Sequence, residues 1–121
     1  GVAFGSELIL ESMRTNGFFP ESIVVSGGAT RSELWLQIHS DVSNLPLTLT
    51  KNPDAPLLGC AILAAVGAGI YEDFPTAVEQ MVQIDRVIEP NSQVHAEYQP
   101  FYEAYKASYV GLKNIRNNLE N

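Results

Sequence analysis

The sequence has 121 residues, with Lys+Arg 7 against Asp+Glu 14 and a formal net charge of −7. That length holds one domain around one hydrophobic core and excludes a two-domain enzyme with a closing cleft. At 45% hydrophobic and 17% charged residues the composition is that of a folded protein, and its acidic balance argues against a nucleic-acid binder or a lipid-docking surface, both of which need basic groups.

Cys60 is a single cysteine, which rules out an internal disulfide and every cysteine-rich zinc pattern. His39 and His95 lie far apart in sequence, so no metal site is expected. No basic stretch leads into an apolar run, and no secretory signal is expected. Both features fit a reducing, cytoplasmic compartment. The chain opens at Gly1, inside a helical pattern and without a cap residue, so it is expected to be a fragment of a longer protein.

At 100° per residue, Val2, Ile9 and Met13 share one stripe, with Ala3 and Leu10 beside it, and Glu7, Glu11 and Arg14 lie opposite. This predicts an amphipathic helix over roughly residues 1–16, stopped by Asn16-Gly17. Ile23-Val24-Val25 predicts a short, buried strand of parallel type. Ser26-Gly27-Gly28-Ala29 follows, and Thr30-Arg31-Ser32-Glu33 fits a capping box that opens a helix. On that helix Leu34, Ile38, Val42 and Leu45 recur at helical spacing. Glu33, Gln37, Asp41 and Asn44 fill its polar face.

Leu47-Thr48-Leu49-Thr50 predicts a second strand, nearer a sheet edge because it alternates. After the loop Lys51–Asp54, Ala55–Tyr71 runs for seventeen residues without a charge. It is short and dilute for a membrane span and predicts a buried helix, its small residues Gly59, Cys60, Ala64, Gly67 and Ala68 allowing close approach. Cys60 then reads as a small buried hydrophobe. A further helix is expected over Thr76–Val82 and a weak extended segment over Gln83–Glu89. Asn91 or Ser92 caps a last helix to about Asn117. It carries the stripe Tyr98, Tyr102, Tyr105, Tyr109 and Leu112 and is kinked or delayed by Pro100. The end, 117–121, is expected to fray. The whole reads as α/β and helix-rich, with few short strands.

Five features bear on chemistry. The turn Ser26–Ala29, between a strand and a helix start, suits a nucleotide held by backbone. It also suits a tight turn that binds nothing. It is neither the Rossmann glycine pattern nor a P-loop. Trp35 and His39, four apart, can touch. His95 reads as solvated. The tyrosine stripe is expected to pack against the domain, because the charges beside it are Glu97, Glu103 and Lys106 and not the basic groove that base stacking needs. Glu72, Asp73, Glu79, Asp85 and Glu89 lack metal-ligand spacing and read as solvated surface.

Several motifs, in order and at matching spacing, resemble FGGY-type carbohydrate kinases. Gly1–Gly5 resembles the end of their Glu-Gly-Val-Ala-Phe helix. Ile23–Ser43 (IVVSGGATRSELWLQIHSDVS) is similar to their strand, glycine turn and "SPLW-Q-I-ADV" helix. Leu45-Pro46-Leu47 resembles "GLPV", and Ala55–Tyr71 resembles "AAALGAAILAAVGAGLY". VIEPN at 87–91, with the tyrosines after it, resembles the C-terminal "EPDPEN…Y…Y…Y…LY" helix. The resemblance covers nearly the whole chain.

The resemblance implies that residues 1–121 are the C-terminal, ATP-binding portion of a sugar or polyol kinase. Their fold would be part of an actin-like ATPase (ribonuclease H-like) domain. ATP with Mg²⁺ would be the cofactor. The sugar would bind mainly in a missing N-terminal domain. Gly27, Gly28 and Ala29 would border the nucleotide, with Ser32 near the adenine. Ser26 departs from the third Gly or Asp of many members. The family's aspartate base and first phosphate hairpins have no counterpart in these residues, so no catalytic residue is expected here and the chain alone is expected to be inactive. The alternative is a non-catalytic interaction or nucleotide-sensing domain with a kinase-like fold. With surfaces made to pack on missing strands, the isolated chain is expected to form a homo-oligomer. Neither nucleic acid nor membrane is an expected partner.

Overall fold

The computed structural model describes residues 1–119, with side chains through Lys113. In chain order it has α1 (Val2–Thr15), β1 (Ile23–Val25), a 3-10 turn (Gly28–Arg31), α2 (Glu33–Ser43) and β2 (Leu47–Thr50). There follow α3 (Ala55–Gly67), α4 (Phe74–Met81), β3 (Ile84–Ile88) and α5 (Ser92–Leu119). The architecture is mixed α/β and helix-rich, as the sequence predicts. What was expected of the terminal Glu120 and Asn121 lies outside the described residues.

Helix α1 ends as the Asn16-Gly17 signal predicts. Gly17 takes φ +86°, and its N–H bonds the Arg14 carbonyl while that of Phe18 bonds Met13. This closing pattern satisfies the last carbonyls and requires a residue that tolerates positive φ. The way α1 packs corrects the amphipathic reading. Val2, Ile9 and Met13 are exposed, whereas Glu7 and Ala3 are buried. The polar face turns inward because α5 offers it partners. Phe4 meets the rings of Tyr98, Tyr102 and Tyr105 at centroid distances of 6.1, 5.8 and 5.7 Å. The Tyr102 hydroxyl donates to Glu11 Oε2 at 2.6 Å, and Lys106 Nζ donates to Glu11 Oε1 at 3.2 Å. Tyr98 and Tyr102 of the stripe therefore pack against the domain, whereas Tyr109 and Leu112 are exposed and Tyr105, though it meets Phe4, is partly so.

This contact gives a pH-dependent expectation. The Tyr102 hydroxyl, then Lys106, lowers the Glu11 pKa below its ordinary 4.5. A depressed carboxylate stabilises the fold above its unfolded pKa, and that contribution is lost as pH falls through the folded value. Tyr102→Phe should lower stability at pH 7 by about 1 kcal/mol, because it removes a charge-assisted hydrogen bond. The deficit should shrink as pH falls through the lowered folded pKa of Glu11, where its protonation weakens the same bond in the parent. Urea unfolding of both proteins at pH 7 and pH 3.5 checks this. A deficit equal at both pH values would disprove the link.

The three strands order as β1-β2-β3, with β1 and β2 parallel and β2 and β3 antiparallel. The register sets Ile23 opposite Leu47 and Leu47 opposite Ile88. Strand β2 is thus central, and the edge position expected for it belongs to β1. Val24 is exposed on that edge strand, so β1 is not buried as expected. Leu47 and Leu49 instead bury one face of β2 beneath Leu36 of α2. Ile23, Val25, Trp35 and Ile88 pack around this cluster. The buried residues of α2 are Leu36, Ser40, Asp41, Val42 and Ser43, while Leu34 is 72% exposed. Of the expected Leu34–Ile38–Val42 face, Val42 is buried and Ile38 half-buried, Leu34 is not, and Asp41 of the expected polar face is buried instead.

Polar side chains clamp α2 to the start of α5. Buried Asp41 accepts from Gln37 Nε2 and from the Asn91 N–H, and Ser40 Oγ donates to Leu45 O and Ile88 O. Asn91 caps α5 by accepting from Gln93 N and Val94 N. His95 is not solvated: its Nδ1 lies 2.9 Å from the Asp41 carbonyl. The helix runs on through Pro100. Asp73 is exposed, as expected, and accepts from Thr76 N to cap α4.

Helix α3 is largely exposed rather than buried, with Ile62 and Ala65 its buried residues. Cys60 is exposed too. A Cβ built at Gly59 or Gly67 would meet open space, so among the described residues these two glycines support no close approach. Among the described residues no helix is long and apolar enough to cross a membrane.

Candidate functional site

The glycine turn sits where β1 ends. Parallel pairing of β1 and β2 brings the loop after each strand to the same edge of the sheet. The Gly27 N–H accordingly bonds the Pro53 carbonyl at 2.9 Å. Gly27 adopts φ +85°, ψ −161°, a region open essentially to glycine alone. Thr30 folds back on it, Oγ1 donating to Gly27 O at 2.7 Å. That bond fixes the 3-10 turn and replaces the expected capping box. The cap of α2 is Ser32, whose Oγ accepts from Trp35 N at 3.3 Å.

Between the turn and the Pro53–Pro56 segment, which leads into α3, lies an open cleft of about 370 Å³, lined by Gly27, Gly28, Arg31, Pro53, Asp54 and Pro56. A Cβ at Gly27 or Gly28 would meet nothing within 4 Å. The glycines therefore leave a wall of bare backbone that another molecule can approach closely. Asp54, on the opposite side, caps α3 by accepting from Leu57 N. Of the residues singled out in the sequence, Gly27 and Gly28 line the cleft. Ala29 follows in the same turn, and Ser32 stands at the head of α2, outside the lining.

Sequence reasoning missed Arg31 and the Pro53–Pro56 side of this cleft. Their signal is the parallel pair: once β1 and β2 are neighbours in parallel, Pro53 and Asp54 must face the glycine turn. Trp35 and His39 do stack, with centroids 3.6 Å apart. Burial lowers the His39 pKa. They lie beside β1 and α1, lining a separate hollow. Among the described residues, no group of three or more His, Cys, Asp or Glu side chains converges to hold a metal.

The family model described as "FGGY family of carbohydrate kinases, C-terminal domain" matches residues 1–68, which include the whole cleft. The chain belongs to the FGGY family of carbohydrate kinases. This FGGY chain is 33% identical over 119 residues to a xylulose kinase of Staphylococcus epidermidis, covering 98% of the chain and 24% of that protein. It is 38% identical over 104 residues to a ribulokinase of Mycolicibacterium smegmatis, covering 85% of the chain and 18% of that protein. Ligand-bound xylulose kinase from Lactobacillus acidophilus superposes with a TM-score of 0.84 at 25% identity, covering 93% of this chain and 23% of that one. The FGGY chain thus spans about a fifth to a quarter of the length of the relatives it matches.

Proposed function

We propose that residues 1–121 are the C-terminal, ATP-binding portion of a sugar or polyol kinase. The fold would be part of an actin-like ATPase (ribonuclease H-like) domain. The whole enzyme would transfer the γ-phosphoryl group of ATP to a carbohydrate hydroxyl. The observation that supports this most is the bare backbone of Gly27 and Gly28, open to a cleft in a chain of FGGY sequence.

The bare backbone of the turn suits ATP, because nothing there blocks its close approach. Gly27, Gly28 and Ala29 border the nucleotide, and Ser32, at the head of α2, lies near the adenine. The Ser32 oxygen is engaged as a cap, which leaves its O–H as the donor. Mg²⁺ accompanies the ATP phosphates, with protein ligands outside the described residues. Phosphoryl transfer is mostly positioning and charge stabilisation, and it needs a base beside the acceptor hydroxyl. In this reading the base and most of the sugar site belong to the rest of the enzyme. Cytoplasmic placement fits an ATP-consuming enzyme with an exposed free thiol at Cys60.

The β1 edge with Val24, and the exposed Val2, Ile9 and Met13 on α1, call for partners. The separated chain should therefore self-associate. One experiment tests both statements. Full-length protein and residues 1–121 are each given MgATP with a panel of pentuloses and polyols, and the separate chain is also sedimented at micromolar concentration. Phosphorylated product is expected from the full-length protein alone, and oligomers from the separate chain. A full-length protein that phosphorylates none of the panel would favour a non-catalytic, nucleotide-sensing domain. Turnover by residues 1–121, or a clean monomer, would refute the corresponding half.

A further inference from the structure

Arg31 is a cation that the kinase reading leaves without a role. It is exposed at the end of the 3-10 turn and lines the same cleft as Gly27 and Gly28. The chain is acidic, with 14 acids against 7 bases, and much of its positive charge is already engaged. Arg14 pairs with Glu7, Arg86 with Glu33 and Asp85, and Lys106 with Glu11 and Glu103. Lys51 donates to Gln83. Among the described residues Arg31 makes no ion pair. The carboxylate in the cleft, Asp54, accepts from the backbone of α3 and lies beyond ion-pair distance of Arg31.

The two glycines give the cleft a shape but no charge that selects a phosphorylated ligand. A guanidinium supplies that charge, because its planar fork matches phosphate oxygens two at a time. We propose that Arg31 binds the phosphate chain of the nucleotide in the glycine cleft and so sets the preference for phosphorylated nucleotides over nucleosides. This rests on the nucleotide reading of the cleft. It makes Arg31 a specificity residue and assigns it no step of the chemistry.

The test is titration calorimetry on the full-length protein with ATP, ADP and adenosine, comparing the parent with Arg31→Met and Arg31→Lys. Arg31→Met should weaken ATP and ADP about tenfold, the scale of a lost charge-assisted hydrogen bond, and change adenosine less than about twofold. Arg31→Lys should recover part of the loss, and rising salt should shrink it. An equal loss for adenosine would overturn the proposal and place the guanidinium on the base. Unchanged ATP affinity in Arg31→Met would also overturn it. Gly28→Leu in the same assay separates the two levels. If Gly28→Leu weakens ATP and Arg31→Met does not, only the role of Arg31 falls. If Gly28→Leu binds ATP normally, the nucleotide reading falls, and the role of Arg31 with it.

Discussion

Replacing Leu36 with alanine should remove about 3 kcal/mol of folding stability, within the usual range for truncating a fully buried leucine. Leu36 is 0% exposed and packs on Leu47 and Leu49, with Ile23, Val25, Trp35 and Ile88 around it. Among the described residues the sheet has three strands, and Leu36 is the helix residue at the centre of the cluster on it. Leu36 also holds α2 over the strands, and with it Ser32 and the end of the glycine turn. Loss of the contact should therefore reach the cleft. Leu34→Ala on the same helix is the control. Its side chain is 72% exposed, and a surface change of that kind usually stays within about 0.5 kcal/mol. Urea unfolding of both variants decides. Equal losses would mean that α2 presents its other face to the core.

That contrast shows where sequence reading reached and where it stopped. Local signals were legible. Asn16-Gly17 marked the end of α1, the β-branched run Ile23–Val25 marked β1, and Asn91 marked the start of α5. The order of motifs carried the family. The faces of the helices were not legible, because periodicity tells which residues share a side and not which side meets a partner. On α1 the apolar stripe is exposed, and Glu7 and Glu11 turn to Arg14, Tyr102 and Lys106. No local pattern encodes a carboxylate 91 positions from its tyrosine. Strand order was lost for a similar reason. Alternation in Leu47–Thr50 reports one buried face, which a central strand with a single helix layer shows as readily as an edge strand. Within the site the two glycines were legible and the Pro53–Pro56 wall was not, since that wall exists only once β1 and β2 pair in parallel.

The second large effect belongs to the cleft itself. Gly28 is not among the residues at positive φ, and a Cβ there meets open space. The fold should thus accept a larger side chain, unlike at Gly27, where φ is +85°. In Gly28→Leu the new side chain occupies room that the nucleotide would use. Binding of ATP should weaken at least about tenfold, a cost of roughly 1.4 kcal/mol or more. The sugar site, placed by this account in another part of the enzyme, should be untouched. The ratio of the two Michaelis constants then reports on the cleft and not on general damage.

Steady-state kinetics of Gly28→Leu in the full-length protein, varying ATP and sugar in turn, is the direct measurement. A KM for ATP raised at least about tenfold, with the KM for sugar within about twofold and unfolding by urea unchanged, is the predicted result. Equal changes in both constants, or no change in either, would contradict the assignment of the glycine cleft to ATP.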